Sequence, residues 1–156
     1  MKFEYLSNRP EAVPQIARWY FDQWGHLLES ETYERSIERL HEYVRDDQMP
    51  LMVLAIEDGE VVGAAQLKFH EMEEVYPDLE NWLGGLYVAE VHRSKGIGTK
   101  LVDKIMELAP GFGVTKLYLQ TEALDGGLYA KLGWKPIENY QGEHLLVLVM
   151  ENDIAA

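Results

Sequence analysis

The 156-residue chain contains no cysteine, which removes disulfides, thiolate metal ligands and a cysteine nucleophile together. No apolar run approaches the roughly 20 residues that a membrane-spanning helix needs. Repeats, low-complexity tracts and Pro-, Gly- or Ser-rich linkers are also missing, so one globular domain over residues 1–156 is expected. Positive charge is scarce: 14 Lys and Arg against 27 Asp and Glu give a net charge of -13. That balance repels a phosphate backbone, which argues against nucleic acid as the main partner and favours a cationic one. Met1-Lys2 leads straight into Phe3-Glu4-Tyr5-Leu6, without the apolar core and cleavage site of a signal peptide. A cytoplasmic location without membrane association is therefore expected. His26, His41, His70, His92 and His144 show no ligand spacing with one another, so no metal site is expected.

The residues present alternate between helix-like and strand-like patterns. Asn8 and Pro10 suit a helix start, and Ala12, Ile16, Ala17, Tyr20 and Trp24 follow at helical spacing up to Gly25. Ser30 is the expected cap of a second helix lined by Tyr33, Ile37, Leu40 and Val44. Leu51 to Ile56 and Val61 to Leu67 are apolar runs joined at Asp58-Gly59, a strong signal for a tight hairpin. Val114 to Gln120 reads as a buried strand, Gly126 to Leu132 as a short helix, and Trp134 to Ile137 with Leu145 to Met150 as closing strands. These elements predict an α+β fold, a mixed and mainly antiparallel central sheet flanked by helices in three layers.

One stretch carries most of the chemistry. Leu83 to Ala109 runs from an apolar strand through Arg93-Ser-Lys-Gly96-Ile-Gly98 into an amphipathic segment that stops at Pro110-Gly111. Backbone N–H groups at a helix N-terminus lack intrahelical partners and sit at the positive end of the helix dipole, so a pyrophosphate fits there. Gly96 and Gly98 let it approach the backbone closely. The spacing fits neither the GxGxxG dinucleotide turn nor a Walker loop.

Leu86-Tyr-Val88 followed by Arg93-Ser-Lys-Gly96-Ile-Gly98 resembles the LxV strand and [Q/R]xxGxG/A signature of the GCN5-related N-acetyltransferase superfamily. Leu128-Tyr129-Ala-Lys-Leu-Gly133-Trp134 resembles that family's FYxKxGF block, and the order of elements agrees over nearly the whole chain. The resemblance implies acetyl-coenzyme A as co-substrate, with the backbone of Ser94, Lys95, Gly96, Ile97, Gly98 and Thr99 holding its pyrophosphate. It also implies that the strand edge at Leu86, Tyr87 and Val88 pairs with the pantetheine amides. Arg93 is then a loop support or an anion contact.

An amine attacking a thioester needs an acid for the leaving sulfur, and Tyr129 is the candidate, since a phenol near pKa 10 gives a proton to a thiolate near 8.5 only slightly uphill. It also needs a base, because an alkyl ammonium is almost wholly protonated at neutral pH. Relatives often carry a carboxylate just ahead of LxV, where this chain reads Trp82-Leu83-Gly84-Gly85. Glu80 is the nearest upstream carboxylate, followed by Asp78, with Glu122 a third choice. The acidic connection from His70 to Glu80 is expected to border the acceptor, through Glu74, Asp78 and a cation–π contact from Tyr76. Trp82, with Trp19 and Trp24, is a candidate for the acceptor pocket, although helical spacing favours core for the latter two. The expected activity is direct transfer of acetyl to a primary amine: a small cationic amine, a polyamine, an aminoglycoside-like acceptor or a peptide amine. The alternative is an idle acetyl-coenzyme A-binding regulatory module, and homodimerisation stays open.

Overall fold

The computed structural model describes residues 1–28 and 30–154. Seven strands form one sheet: β1 (Lys2–Tyr5), β2 (Leu51–Glu57), β3 (Glu60–Lys68), β4 (Trp82–Val88), β5 (Lys116–Thr121), β6 (Lys135–Gln141) and β7 (Leu146–Asp153). Their spatial order is β1-β2-β3-β4-β5-β7-β6, antiparallel throughout except for β4 beside β5. The β2–β3 hairpin turns in two residues, Asp58 at φ 51° and Gly59 at φ 79°, the paired left-handed geometry that Asp-Gly accepts.

Among the described residues, four α-helices flank the sheet: α1 (Val13–Trp24), α2 (Tyr33–His41), α3 (Ile97–Leu108) and α4 (Gly127–Lys131). Two helix starts differ from the sequence expectation. Short 3₁₀ turns at Leu6–Asn8 and Pro10–Ala12 precede α1, and no side chain caps it. Thr32 rather than Ser30 caps α2, its Oγ1 accepting from the Arg35 N–H at 3.1 Å. Ser30 instead turns the chain at φ 65°.

Helices on both faces explain why β2 and β3 read as continuous apolar runs rather than alternating ones. One core joins α3 to Val53, Leu67, Leu83, Leu117 and Leu119, and a second joins α1 and α2 to Met52, Leu54 and Ala64. Gly63 lets α3 lie close on β3, since a Cβ there would meet Leu101 Cδ1 and Tyr87 O at 3.0 Å. Leu101 is fully buried at that contact, and its truncation to Ala should cost about 3 kcal/mol. Trp82 and Tyr118 form a third cluster with Val147, Val149 and Met72, beneath the β3–β4 connection.

Two features of β4 position the site. Parallel pairing with β5 is confined to Trp82 opposite Tyr118, so past that point the β4 edge facing β5 has no strand partner in the described residues. The β3–β4 register also shifts: Gln66 opposes Gly84 but Ala64 opposes Tyr87, so Gly85 and Leu86 together face Ala65. This bulge, with Gly85 at φ 55°, takes backbone groups out of the ladder in mid-strand.

Candidate active site

The bulge separates two recesses. The one on the Leu86 side, about 340 Å³, is lined by Leu86, Tyr87, Val88, the turn from His92 to Gly98, and Gln23 with Trp24 of α1. Gly96 caps α3 at φ 80°, which a Cβ would strain, and with Ser94 at φ 65° it turns the chain into α3, whose first amides have no intrahelical partner. Space around both glycines is open: a Cβ on Gly96 would meet nothing within 4 Å, and one on Gly98 only Leu128, Val88 and Leu86 at 3.7 Å or more. His92 Nδ1 is buried there without a hydrogen-bond partner. A polyanion with apolar and amide segments fits this donor set, which contains Arg93 and His92 but no carboxylate.

Arg93 acts first as a brace. Its Nε donates to Val88 O at 2.8 Å and its guanidinium lies 5.3 Å from the Tyr87 ring. Tyr87 in turn stacks on Trp19 at 5.0 Å and meets Trp24 edge-on at 6.3 Å. Trp19 packs against the α1–α2 core as its spacing suggested, whereas Trp24 lines both recesses. Of the predicted turn residues, Ser94, Gly96, Ile97 and Gly98 line the recess, while the Lys95 and Thr99 side chains do not.

The recess on the Gly85 side is larger, about 880 Å³, and acidic. Glu31, Glu71, Glu73, Glu74, Glu122 and Glu143 line it, against Arg39, Lys68 and two histidines. Its floor is polar: Tyr20 donates to Gly85 O at 2.6 Å, and the half-buried Gln120 Nε2 donates to Glu71 Oε1 at 3.1 Å. The side-chain carbonyls of Gln66 and Gln120 have no partner. Burial holds the Tyr20 hydroxyl well above its ordinary pKa, so it remains a donor. Lys68 contacts Glu71, whose charge keeps the lysine ammonium protonated against the opposing effect of burial.

Tyr129 sits on α4, outside the residues that line either recess, edge-to-face with Trp134 at 6.2 Å and packed on the α3 core. Burial pushes its pKa up to about 12. Against a thiolate of ordinary pKa near 8.5, full proton transfer would then be uphill by about 5 kcal/mol, more than the sequence expectation allowed. The phenol thus suits hydrogen-bond donation to a sulfur whose own basicity rises in the same apolar surroundings.

The acceptor-side expectations divide. Glu74 and Glu122 line the acidic recess. Glu80 and Asp78 are exposed and outside it, because the connection turns away before re-entering the sheet at Trp82. Tyr76 is occupied elsewhere, donating to Glu138 Oε1 at 2.6 Å beneath Tyr140. Trp82 is fully buried, its Nε1 bonded to Leu79 O at 2.6 Å and its ring on Tyr118; it is core rather than pocket wall. Tyr20, Gln66, Lys68 and Gln120 escaped the sequence reading. The available signal was polarity in buried strands, as with Gln66 in Val-Val-Gly-Ala-Ala-Gln-Leu.

Among the described residues no group of His, Asp and Glu is arranged to hold a metal, and no helix is long and apolar enough to cross a membrane.

Comparison with known proteins gives consistent likenesses. A model of the Acetyltransferase (GNAT) family matches residues 13–134. An uncharacterized N-acetyltransferase of Chlorobaculum tepidum is 29% identical over 114 residues, which is 73% of this chain and 65% of the relative's length. An aminoglycoside 6'-N-acetyltransferase solved with coenzyme A superposes with TM-score 0.77 at 19% identity, over 100% of this chain and 98% of that one. The ribosomal-protein-alanine N-acetyltransferase of Brucella melitensis gives TM-score 0.73 at 22% identity, over 98% and 99%. These structural likenesses establish the fold.

Proposed function

The chain belongs to the Acetyltransferase (GNAT) family, and we propose that it moves acetyl from acetyl-coenzyme A to a primary amine of a cationic acceptor. The observation that carries this reading is the meeting of two electrostatically opposite recesses at one bulge, with Leu86 in the wall of one and Gly85 in the wall of the other. Acetyl-coenzyme A supplies an activated thioester. The α3 amides and His92 hold its anionic end, and the unpaired edge of β4 accepts its amides as an added strand would. The bulge turns backbone N–H toward the acetyl oxygen, where developing charge is stabilised. Tyr129 donates to the departing sulfur. Excess carboxylate in the larger recess attracts an ammonium, which favours a small amine, polyamine or aminoglycoside-like acceptor over a neutral one.

Incubation with acetyl-coenzyme A and a panel of amines, polyamines, aminoglycosides and peptides, read as free thiol, tests the proposal. Release above background with cationic amines is expected, and none with any amine overturns it. A second reading, a module that binds acetyl-coenzyme A without turnover, is favoured by Gly84 and Gly85 at the strand positions that could have supplied a carboxylate. Tight coenzyme binding with no thiol release would support it.

A further inference from the structure

The strand position ahead of the bulge has no side chain, yet charged groups converge on it. A Cβ built on Gly84 would lie 2.9 Å from Glu71 Oε2, 2.7 Å from Lys68 Cε and 3.1 Å from Lys68 Nζ. The volume that a residue-84 side chain would fill is therefore shared by the Lys68 side chain and a carboxylate arriving from the β3–β4 connection. Glu71 is fastened there by the Gln120 amide from β5 and by the Lys68 ammonium; its Oε2 is buried beside the lysine, and the side chain, 19% exposed, lines the acidic recess.

We infer that Glu71 docks the acceptor ammonium and takes its proton, and that Gly84 lacks a side chain so that Glu71 can reach the bulge. The inference rests on the acetyl-transfer reading. Glu71 removes one proton from the ammonium, and the freed lone pair forms the new C–N bond. The C–S bond breaks with the sulfur held in a hydrogen bond from Tyr129, and the second proton leaving nitrogen ends on that sulfur. Ammonium and thioester become amide, thiol and one released proton. Lys68 and Gln120 are positioning residues: they hold the carboxylate over Gly84 without contacting the acceptor.

Glu71→Gln preserves the shape of the side chain and the oxygen that Gln120 uses. With the best acceptor from the amine panel, assayed at about pH 7 as an ammonium, kcat/KM should fall about 100-fold. With hydrazine at about pH 9, which arrives largely as free base, the change should stay within about threefold. Acetyl-coenzyme A affinity by calorimetry should be unchanged in the same variant. Relocating the carboxylate probes the geometry: Glu71→Ala/Gly84→Glu should regain about a tenfold rate over Glu71→Ala. Equal losses with both acceptors, wild-type rate in Glu71→Gln, or a folded double variant without recovery overturns the inference. If the wild-type protein releases no thiol above background with any amine, the underlying reading fails instead.

Discussion

On the Leu86 side of the bulge, the segment from Val88 to Gly98, with two glycines, supplies most of the wall. On the Gly85 side, α1, α2, β3, the β3–β4 connection, β5 and the β6–β7 turn each contribute side chains. The first recess is local in sequence and sparing in charge; the second is assembled from distant positions and crowded with charge. A binding site made of amides at a helix start tolerates variation in side chains but little in φ, whereas a site made of converging side chains depends on the whole fold to set its distances. The first type suits a ligand shared by many proteins, and the second suits one that differs among them.

The sharpest way to break this contrast is to put a charge where the donor recess relies on its absence. Gly98→Asp places a carboxylate beside the α3 amides, so coenzyme affinity measured by calorimetry should fall about 1,000-fold, or about 4 kcal/mol. The melting temperature should change little, because a Cβ at that position meets only contacts of 3.7 Å or more. Tyr129→Phe removes a donor and leaves the wall intact. Turnover should drop about 100-fold with coenzyme affinity preserved, in a rapid-quench assay of the chemical step. The wild-type rate should show no decline from phenol ionisation up to about pH 10, since the raised pKa of about 12 keeps Tyr129 protonated there.

Arg93→Ala tests the side chain that braces the backbone-built side. Losing its bond to Val88 O and its contact with Tyr87 should weaken coenzyme binding about tenfold by loosening the turn. The gentlest probe is salt. Raising ionic strength from about 20 to about 200 mM should increase the KM for a polycationic acceptor severalfold, because exposed carboxylates attract over a shorter Debye length. A neutral hydroxylamine acceptor should show no such change.

The same contrast governs what could be read from the chain alone. Arg93 to Gly98 works through spacing and glycine, both written directly in the sequence, and its strand, turn and helix were all legible. Glu71 and Glu80 look alike as letters, nine positions apart in one acidic connection. Only the path of that connection over Trp82 decides that Glu71 faces Gly84 while Glu80 faces solvent. Trp82 misled for a related reason: an aromatic before the signature strand suits a pocket wall, but the sheet had an interior use for it against Tyr118. Helix caps were similarly local, yet Thr32 prevailed over Ser30 because its hydroxyl reaches the third amide onward, Arg35 N.

The single register pair between Trp82 and Tyr118 also divides the protein's resistance to unfolding. With so few backbone bonds across it, the seam leaves β5, β6 and β7 tied to β1–β4 mainly through α3 and the Trp82 cluster, as a partly independent cooperative unit. Amide hydrogen exchange should therefore report two opening energies instead of one. A ligand held by β4 and the α3 turn would raise the opening energy of the β1–β4 body by RT ln(1 + [L]/Kd), so coenzyme concentration would set how far the two halves of the sheet differ in stability.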